Sequence, residues 1–255
     1  MVKSIKVYQN LNIKKDHKNS IILIGNFDGL HVGHQKLFLT AKKYKKKYKI
    51  KIGVLTFEPM PKMFFNKNLK NFRISNKIQK ISLLKKFGVD FVVVKNFDRN
   101  FSKTKSISFI KNILNTKLNA KFIFVSNNFR FGNKREGNVN LLKKYEKLFN
   151  YKVVKPEPLI KSKKIVSSSL IRNLLEKGLL NKANNLLKRN WAIQGIVKKG
   201  RQVGKKIGFP TCNIDIGDYV LAKPGVYAVK VLRKNSNKYL KGIANLGYRP
   251  TFNQK

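Results

Sequence analysis

Acidic residues are scarce: 11 Asp and Glu stand against 57 Lys and Arg in 255 residues, leaving a formal charge of +46. Cysteine is scarcer still. Cys212 stands alone, which excludes an intrachain disulfide framework, a cysteine-rich zinc module and a CxxC redox pair. Long apolar runs are missing too, since residues 21–24, 91–94 and 122–125 each fall far short of a membrane span. Residues 1–10 lack the apolar stretch of a secretory signal. The sequence contains no GxGxxG fingerprint, and Gly200-Arg201-Gln202-Val203-Gly204-Lys205-Lys206 has neither the spacing nor the hydroxyl of a Walker A loop. These absences predict a soluble, cytoplasmic protein whose phosphate chemistry, if it has any, uses another kind of site.

What is present is enough for a folded core. Hydrophobic residues make up 42% of the chain, and the length suits two domains of about 150 residues or fewer. The basic excess has two readings. It is mostly lysine, spread over the whole length alongside abundant Asn and Ile, as coding bias in an AT-rich genome would produce. The other reading is selection for a polyanion, because a charge this large attracts nucleic acid or an anionic membrane. On the first reading no specific nucleic acid and no membrane is a partner, and the lysine runs at 42–49 and 161–164 are solvated surface.

The first two thirds alternate short apolar runs with helix-period stretches. Strands are expected at 21–24, 52–57, 91–94 and 122–125. Helices are expected at about 34–47, with Leu37, Phe38 and Ala41 inward, at 78–87 stopped by Gly88, at 107–114 and at 141–148. Uniformly apolar strands between helices predict a parallel α/β sheet covered on both faces, with ligands beyond the carboxyl ends of the strands. Two shorter helices follow, at about 168–176 (ended by Gly178) and 182–187. The pattern then changes: 192–197, 209–216, 225–232 and 239–244 read as strands broken by Gly and Pro, as in a small barrel or sandwich. Val226 to Leu232 is apolar on both faces, so both are expected to be covered. The boundary falls near residue 188, giving domains 1–187 and 188–255.

Chemistry concentrates in Gly25-Asn26-Phe27-Asp28-Gly29-Leu30-His31-Val32-Gly33-His34, which holds two of the three histidines. The i, i+3 spacing puts both imidazoles on one side of the first helical turn. Free backbone N–H groups and the positive end of the helix dipole point the same way. Gly33 between them removes a side chain that would keep a phosphate from the backbone. Other readings compete: chance surface histidines, metal ligands together with Asp28, and for Asp28-Gly29 an ordinary turn. Ser167, Ser168 and Ser169 can cap a helix and donate to phosphate oxygens, and Arg172, one turn later, can form a forked pair with a phosphate; an ordinary cap with a surface arginine is the alternative. Phe57 and Phe129 suit either the core or a flavin or adenine contact.

These residues resemble a known pattern. GNFDGLHVGH is similar to the HxGH signature of the nucleotidyltransferases, in the form found in bacterial FAD synthetases. Val54–Pro61 resembles that family's TFEPHP segment, Asn127–Gly132 its D/N-F-x-F-G segment, and Val166–Arg172 its SST-x-x-R. Gly208–Ile214, Pro224–Tyr227 and Asn245–Phe252 resemble the riboflavin kinase module. The ordered set covers nearly the whole chain from Ile21 onward, and the chain is identified as similar to bacterial bifunctional riboflavin kinase/FAD synthetases.

The resemblance implies a Rossmann-like nucleotidyltransferase domain followed by a smaller antiparallel β-barrel. It implies transfer of AMP from ATP to FMN, giving FAD and pyrophosphate, with riboflavin, ATP and FMN as substrates and Mg2+ bridging phosphates. His31, His34 and Arg172 would be catalytic. Gly25, Phe27, Asp28, Gly33, Ser167 and Ser168 would bind ATP, while Phe57 and Asn128 would contact FMN or nucleotide. Thr211 and Asn213 would hold ATP and Mg2+ in the kinase module. Three positions depart from the family pattern: Met60 stands for His, Ser169 for Thr and Ser126 for Gly. No acidic residue follows Asp218, whereas the family's kinase base is a glutamate farther along. The expectation is therefore an incomplete barrel with little riboflavin kinase activity. Two alternatives remain open at this point: a basic nucleic-acid-binding protein on this scaffold, and an adenylyl- or cytidylyltransferase for another phosphorylated acceptor.

Overall fold

The computed structural model describes residues 4–161, 164–198, 208 and 211–247. The chain divides into two compact units. The first comprises Met1–Leu69 and Ser75–Ser168; the second comprises Lys70–Ile74 and Ser169–Lys255.

A six-stranded, wholly parallel sheet organises the first unit. Its strands are β1 (Lys6–Tyr8), β2 (Ser20–Ile24), β3 (Ile52–Glu58), β4 (Phe91–Asn96), β5 (Ala120–Phe124) and a last edge strand, Lys152–Val154. The spatial order is β1, β4, β3, β2, β5, then Lys152–Val154. Every residue of β2 is buried, because helices cover both faces of a parallel sheet. Ile21 and Leu23 meet Leu37, Phe38 and Ala41 of helix α1 (Val32–Tyr48) on one face. Ile22 and Ile24 share the other face with Phe109, Ile110, Ile113 and Leu114.

The four central strands and α1 lie where the hydrophobic pattern puts them. The helix at Lys77–Lys86 is closed at its start by a reciprocal Asn76–Gln79 capping box, and Gly88 follows it at φ +75°. Other elements differ from expectation. The 107–114 helix begins at Ser106 and is π-wound over Phe109–Lys117. The 141–148 helix is confined to Val139–Lys144. The two edge strands were not foreseen: each is three residues long and carries a lysine, so neither makes an apolar run. Most of the lysine run at 42–49 is exposed.

The chain passes from β2 to β3 to β4 on one side of β2, then returns to β5 and the last strand on its other side. Between β2 and β5 the sheet reverses its order, and there the ladder opens. Its last pair is Leu23 with Phe124. Beyond it the Gly25 amide donates to Leu55 of β3 at 3.1 Å, while the Val125 amide donates to Val154 at 3.2 Å. Strands that part in this way leave a crevice at their carboxyl ends.

In the second unit, helices Ser168–Glu176 and Leu180–Leu187 pack Ile171, Leu175, Ala183 and Leu187 with Ile74, Val220 and Ala222. Residues 70–74 run beside 218–220. The Arg73 amide donates to the Asp218 carbonyl at 2.7 Å, and the Val220 amide donates to the Arg73 carbonyl at 2.8 Å. The Trp191 indole donates to the Ile74 carbonyl at 3.0 Å. Two antiparallel pairs follow, Val197–Lys198 with Asn213–Ile214 and Gly225–Leu232 with Tyr239–Leu246. The antiparallel character is as expected, and the described residues form two separate pairs. The strand expected at 192–197 shrinks to Val197–Lys198. Of the one expected at 209–216, only Asn213–Ile214 is strand among the described residues. Val226 is 72% exposed and Ile243 80%, so the hairpin is not covered on both faces. The 200–206 stretch and 248–252 lie outside the described residues.

Candidate active site

Between β2 and α1 the chain turns sharply. Phe27 adopts a left-handed backbone (φ 48°), Asp28–Leu30 form one tight turn, and His31 caps α1 in extended geometry. The Phe27 ring is buried against Phe38 at 5.1 Å between centroids, which anchors the turn. It also meets the His34 ring edge-on at 5.3 Å. The sequence-predicted histidines are brought together: their rings stack with centroids 3.8 Å apart and planes 21° from parallel.

Stacked imidazoles at that separation cannot both be cationic. Burial, and then the neighbouring His31, hold the His34 pKa well below the usual histidine value. His34 is therefore neutral at pH 7 and can offer a polarised N–H to an oxyanion. Its Nδ1 is buried and has no hydrogen-bond partner among the described residues. An approaching phosphate would supply both a partner and the charge that favours protonation.

Gly33 has a tighter role than backbone access. A Cβ there would lie 3.1 Å from His31 Nδ1 and 3.1 Å from the Val166 carbonyl oxygen. Glycine thus lets the imidazole and the 166–168 segment close over the start of α1. Gly25 likewise accommodates the Phe27 ring, which a Cβ would meet at 3.2 Å.

Asp28 is buried, and its Oδ1 accepts from the Ser75 amide at 3.1 Å and from the Ser75 hydroxyl at 3.4 Å. The Ser168 hydroxyl donates to the Asp28 carbonyl at 2.9 Å. Both residues, predicted as phosphate ligands, therefore tie the turn to its neighbours. Ser167 is half-buried beside them. Phe57 packs in the core, with Phe97 and Phe101 within 6.0 Å. Asn128 is exposed and its Oδ1 accepts from the Ser126 hydroxyl at 3.1 Å. Met60 is 2% exposed. Arg172 belongs to the second unit, where its Nε donates to the Phe72 carbonyl at 2.6 Å and its guanidinium lies 3.6 Å above the Phe72 ring. Thr211 and Asn213 are exposed.

Lys80 was not singled out by the sequence. It is only 3% exposed, and its Nζ donates to the Thr56 hydroxyl near the end of β3 at 3.4 Å. A lysine on a basic helix gives no signal of burial; its place follows from packing against β3.

Histidine burial sets a pH dependence. Burial chiefly lowers the His17 pKa as well; this residue bonds Tyr8 at 2.8 Å and stacks on Phe91 at 4.4 Å. A depressed folded pKa means that the unfolded chain binds more protons below about pH 6.5. Stability from His17 and His34 is thus fully present above that pH and declines as pH falls, by at most about 1.4 kcal/mol per unit for each group. Thermal denaturation between pH 7.5 and 5 should show this fall, reduced in His34→Gln. A melting temperature that rises on acidification would contradict it.

A family model described as FAD synthetase matches residues 13–170, and one described as riboflavin kinase matches 187–255. A curated relative from Buchnera aphidicola subsp. Acyrthosiphon pisum, named bifunctional riboflavin kinase/FMN adenylyltransferase, is 41% identical over 94% of this chain and 77% of its own length. The protein of the same name from Escherichia coli K12 is 34% identical over 98% of this chain and 79% of its own. A crystal structure from Streptococcus pneumoniae, named macrolide-efflux protein, superposes with a TM-score of 0.83 at 28% identity, covering 96% of this chain and 80% of that one. No helix among the described residues is long and apolar enough to cross a membrane. With the paired histidines in place at the opened end of the sheet, and with matches along both parts of the sequence, the chain belongs to the bifunctional riboflavin kinase/FMN adenylyltransferase family.

Proposed function

We propose that the first unit transfers AMP from ATP to FMN. An FMN phosphate oxygen attacks the α-phosphorus in line, the bond to the β-phosphate oxygen breaks, and pyrophosphate leaves, giving FAD. The protein supplies no nucleophile; positioning and charge stabilisation carry the rate. The observation that carries this reading is the His31–His34 stack at the start of α1, beside the crevice between β2 and β5. His31 and His34 stabilise the α- and β-phosphates, with the backbone near Gly25 and Gly33 alongside. Ser167 is a further phosphate donor, while Phe27, Asp28 and Ser168 act by shaping the turn. The family resemblance adds Arg172 as a phosphate ligand and Asn128 as a contact to nucleotide or flavin. Phe57, packed in the core, acts through shape alone.

Residues 188–255 form the riboflavin kinase module of this reading, and 1–187 the adenylyltransferase. Among the described residues no group of three or more His, Cys, Asp or Glu could hold a metal. Thr211 and Asn213 offer hard side-chain oxygens, a donor set that fits magnesium carried on ATP phosphates. These two residues would hold it in the kinase module, where its charge would offset that of the phosphates. The cytoplasm is the proposed location, with small anions drawn in by the basic surface.

Incubation with FMN, ATP and magnesium, followed by flavin separation, tests the reading. Stoichiometric FAD and pyrophosphate are expected. Absence of FAD from a folded chain that binds ATP would overturn it.

A further inference from the structure

The crevice between β2 and β5 is flanked by two asparagines in matching positions. The final ladder pair is Leu23 with Phe124, and Asn26 and Asn127 each lie three residues beyond it. Each has a buried Oδ1 with no hydrogen-bond partner among the described residues. A buried acceptor left unpaired is costly and calls for an explanation, a functional partner among them. For Asn127 the amide orientation is determined by its surroundings. Its Nδ2 faces the Glu157 carboxylate at 3.5 Å, and the Lys36 ammonium holds the Glu157 carbonyl at 2.9 Å. Reversing the amide would turn its oxygen towards that carboxylate. The other side of Asn127 therefore presents an acceptor.

We infer that Asn127 is a specificity residue whose Oδ1 accepts a hydrogen bond from an N–H or O–H donor of the bound ATP. The donor is a ribose hydroxyl or the adenine amino group. This rests on the adenylyltransferase reading, which locates the nucleotide in the same crevice. Phosphates carry no donors at neutral pH, so the paired histidines and Asn127 divide the nucleotide between them. Glu157 is a positioning residue for that amide.

The test measures binding of ATP, 2′-deoxy-ATP, 3′-deoxy-ATP and the 6-unsubstituted purine riboside triphosphate through their KM in FMN-dependent pyrophosphate release, a reaction to which the kinase module's own ATP site does not contribute, together with kcat. In the wild-type chain one of the three analogues should bind about tenfold more weakly than ATP, the worth of one buried hydrogen bond. Asn127→Leu should bind ATP about tenfold more weakly and lose discrimination against that same analogue, with kcat little changed. Glu157→Gln, which frees the amide to turn, should blunt the discrimination in part. Equal binding of all four nucleotides by the wild-type chain would overturn the inference even if Asn127→Leu failed to fold. So would retained discrimination in a folded Asn127→Leu, or a rise in the FMN KM alone. Failure of the wild-type chain to release pyrophosphate from ATP and FMN would instead overturn the adenylyltransferase reading, and this inference with it.

Discussion

His31→Ala and His34→Ala are each expected to lower FAD formation by about 10²–10³-fold, the usual cost of losing one donor to charge developing in a transition state. The two rings stack at 3.8 Å, so removing one also changes the surroundings of the other. The double variant should therefore lose less than the product of the single losses. His34→Gln keeps an N–H but no titrating group. It should retain more activity than alanine and show a flatter pH profile on the acidic side. Arg172→Ala should also lower the rate, with incomplete rescue by lysine, which cannot make the forked contact. Steady-state kinetics beside a thermal melt would check this, and near-wild-type turnover in both histidine variants would remove them from the mechanism.

The largest effects on stability are expected at the pairing of β3 with β4. Gly53 and Phe91 are register partners, and a Cβ on Gly53 would fall within the space of the Phe91 ring. Phe91 is fully buried and forms one side of the His17 stack. Phe91→Ala should destabilise the first unit by about 3–5 kcal/mol. Gly53→Ala should destabilise it by about 1–3 kcal/mol through overpacking. Combining Gly53→Ala with Phe91→Leu should cost clearly less than the sum, because the smaller side chain vacates the space that the new methyl needs. Urea denaturation would measure the cycle. Additivity to within about 0.5 kcal/mol would show that the glycine has another reason for being there.

Much of this protein was legible in its sequence, for reasons visible at particular residues. β2 to β5 announce themselves because a strand buried on both faces must be apolar throughout, as 21–24 and 91–94 are. The Gly25–His34 turn was legible because its chemistry is local: two histidines, three glycines and a helix start within ten residues. Features made by distant contacts were not legible. Nothing about Lys80 distinguishes it from the surface lysines around it until Thr56 is placed against it. Asp28 reads equally well as ligand or turn, and only the Ser75 partnership shows where its carboxylate is engaged. Asn127 sits beside the asparagine that the motif favours, and its neighbour Glu157 is thirty positions away.

Residues 70–74 lie in sequence between elements of the sheet unit, yet they hydrogen-bond to 218–220. The second unit is therefore not a contiguous piece of the gene. A polypeptide starting at residue 169 would lack a stretch of its own fold, and one ending there would carry that stretch without its partners. Splitting the protein into two genes anywhere between residues 75 and 217 would put the two sides of this contact on different polypeptides. The halves would then have to find each other by adding an edge segment. Such an arrangement works against division and favours inheriting the two units as one reading frame.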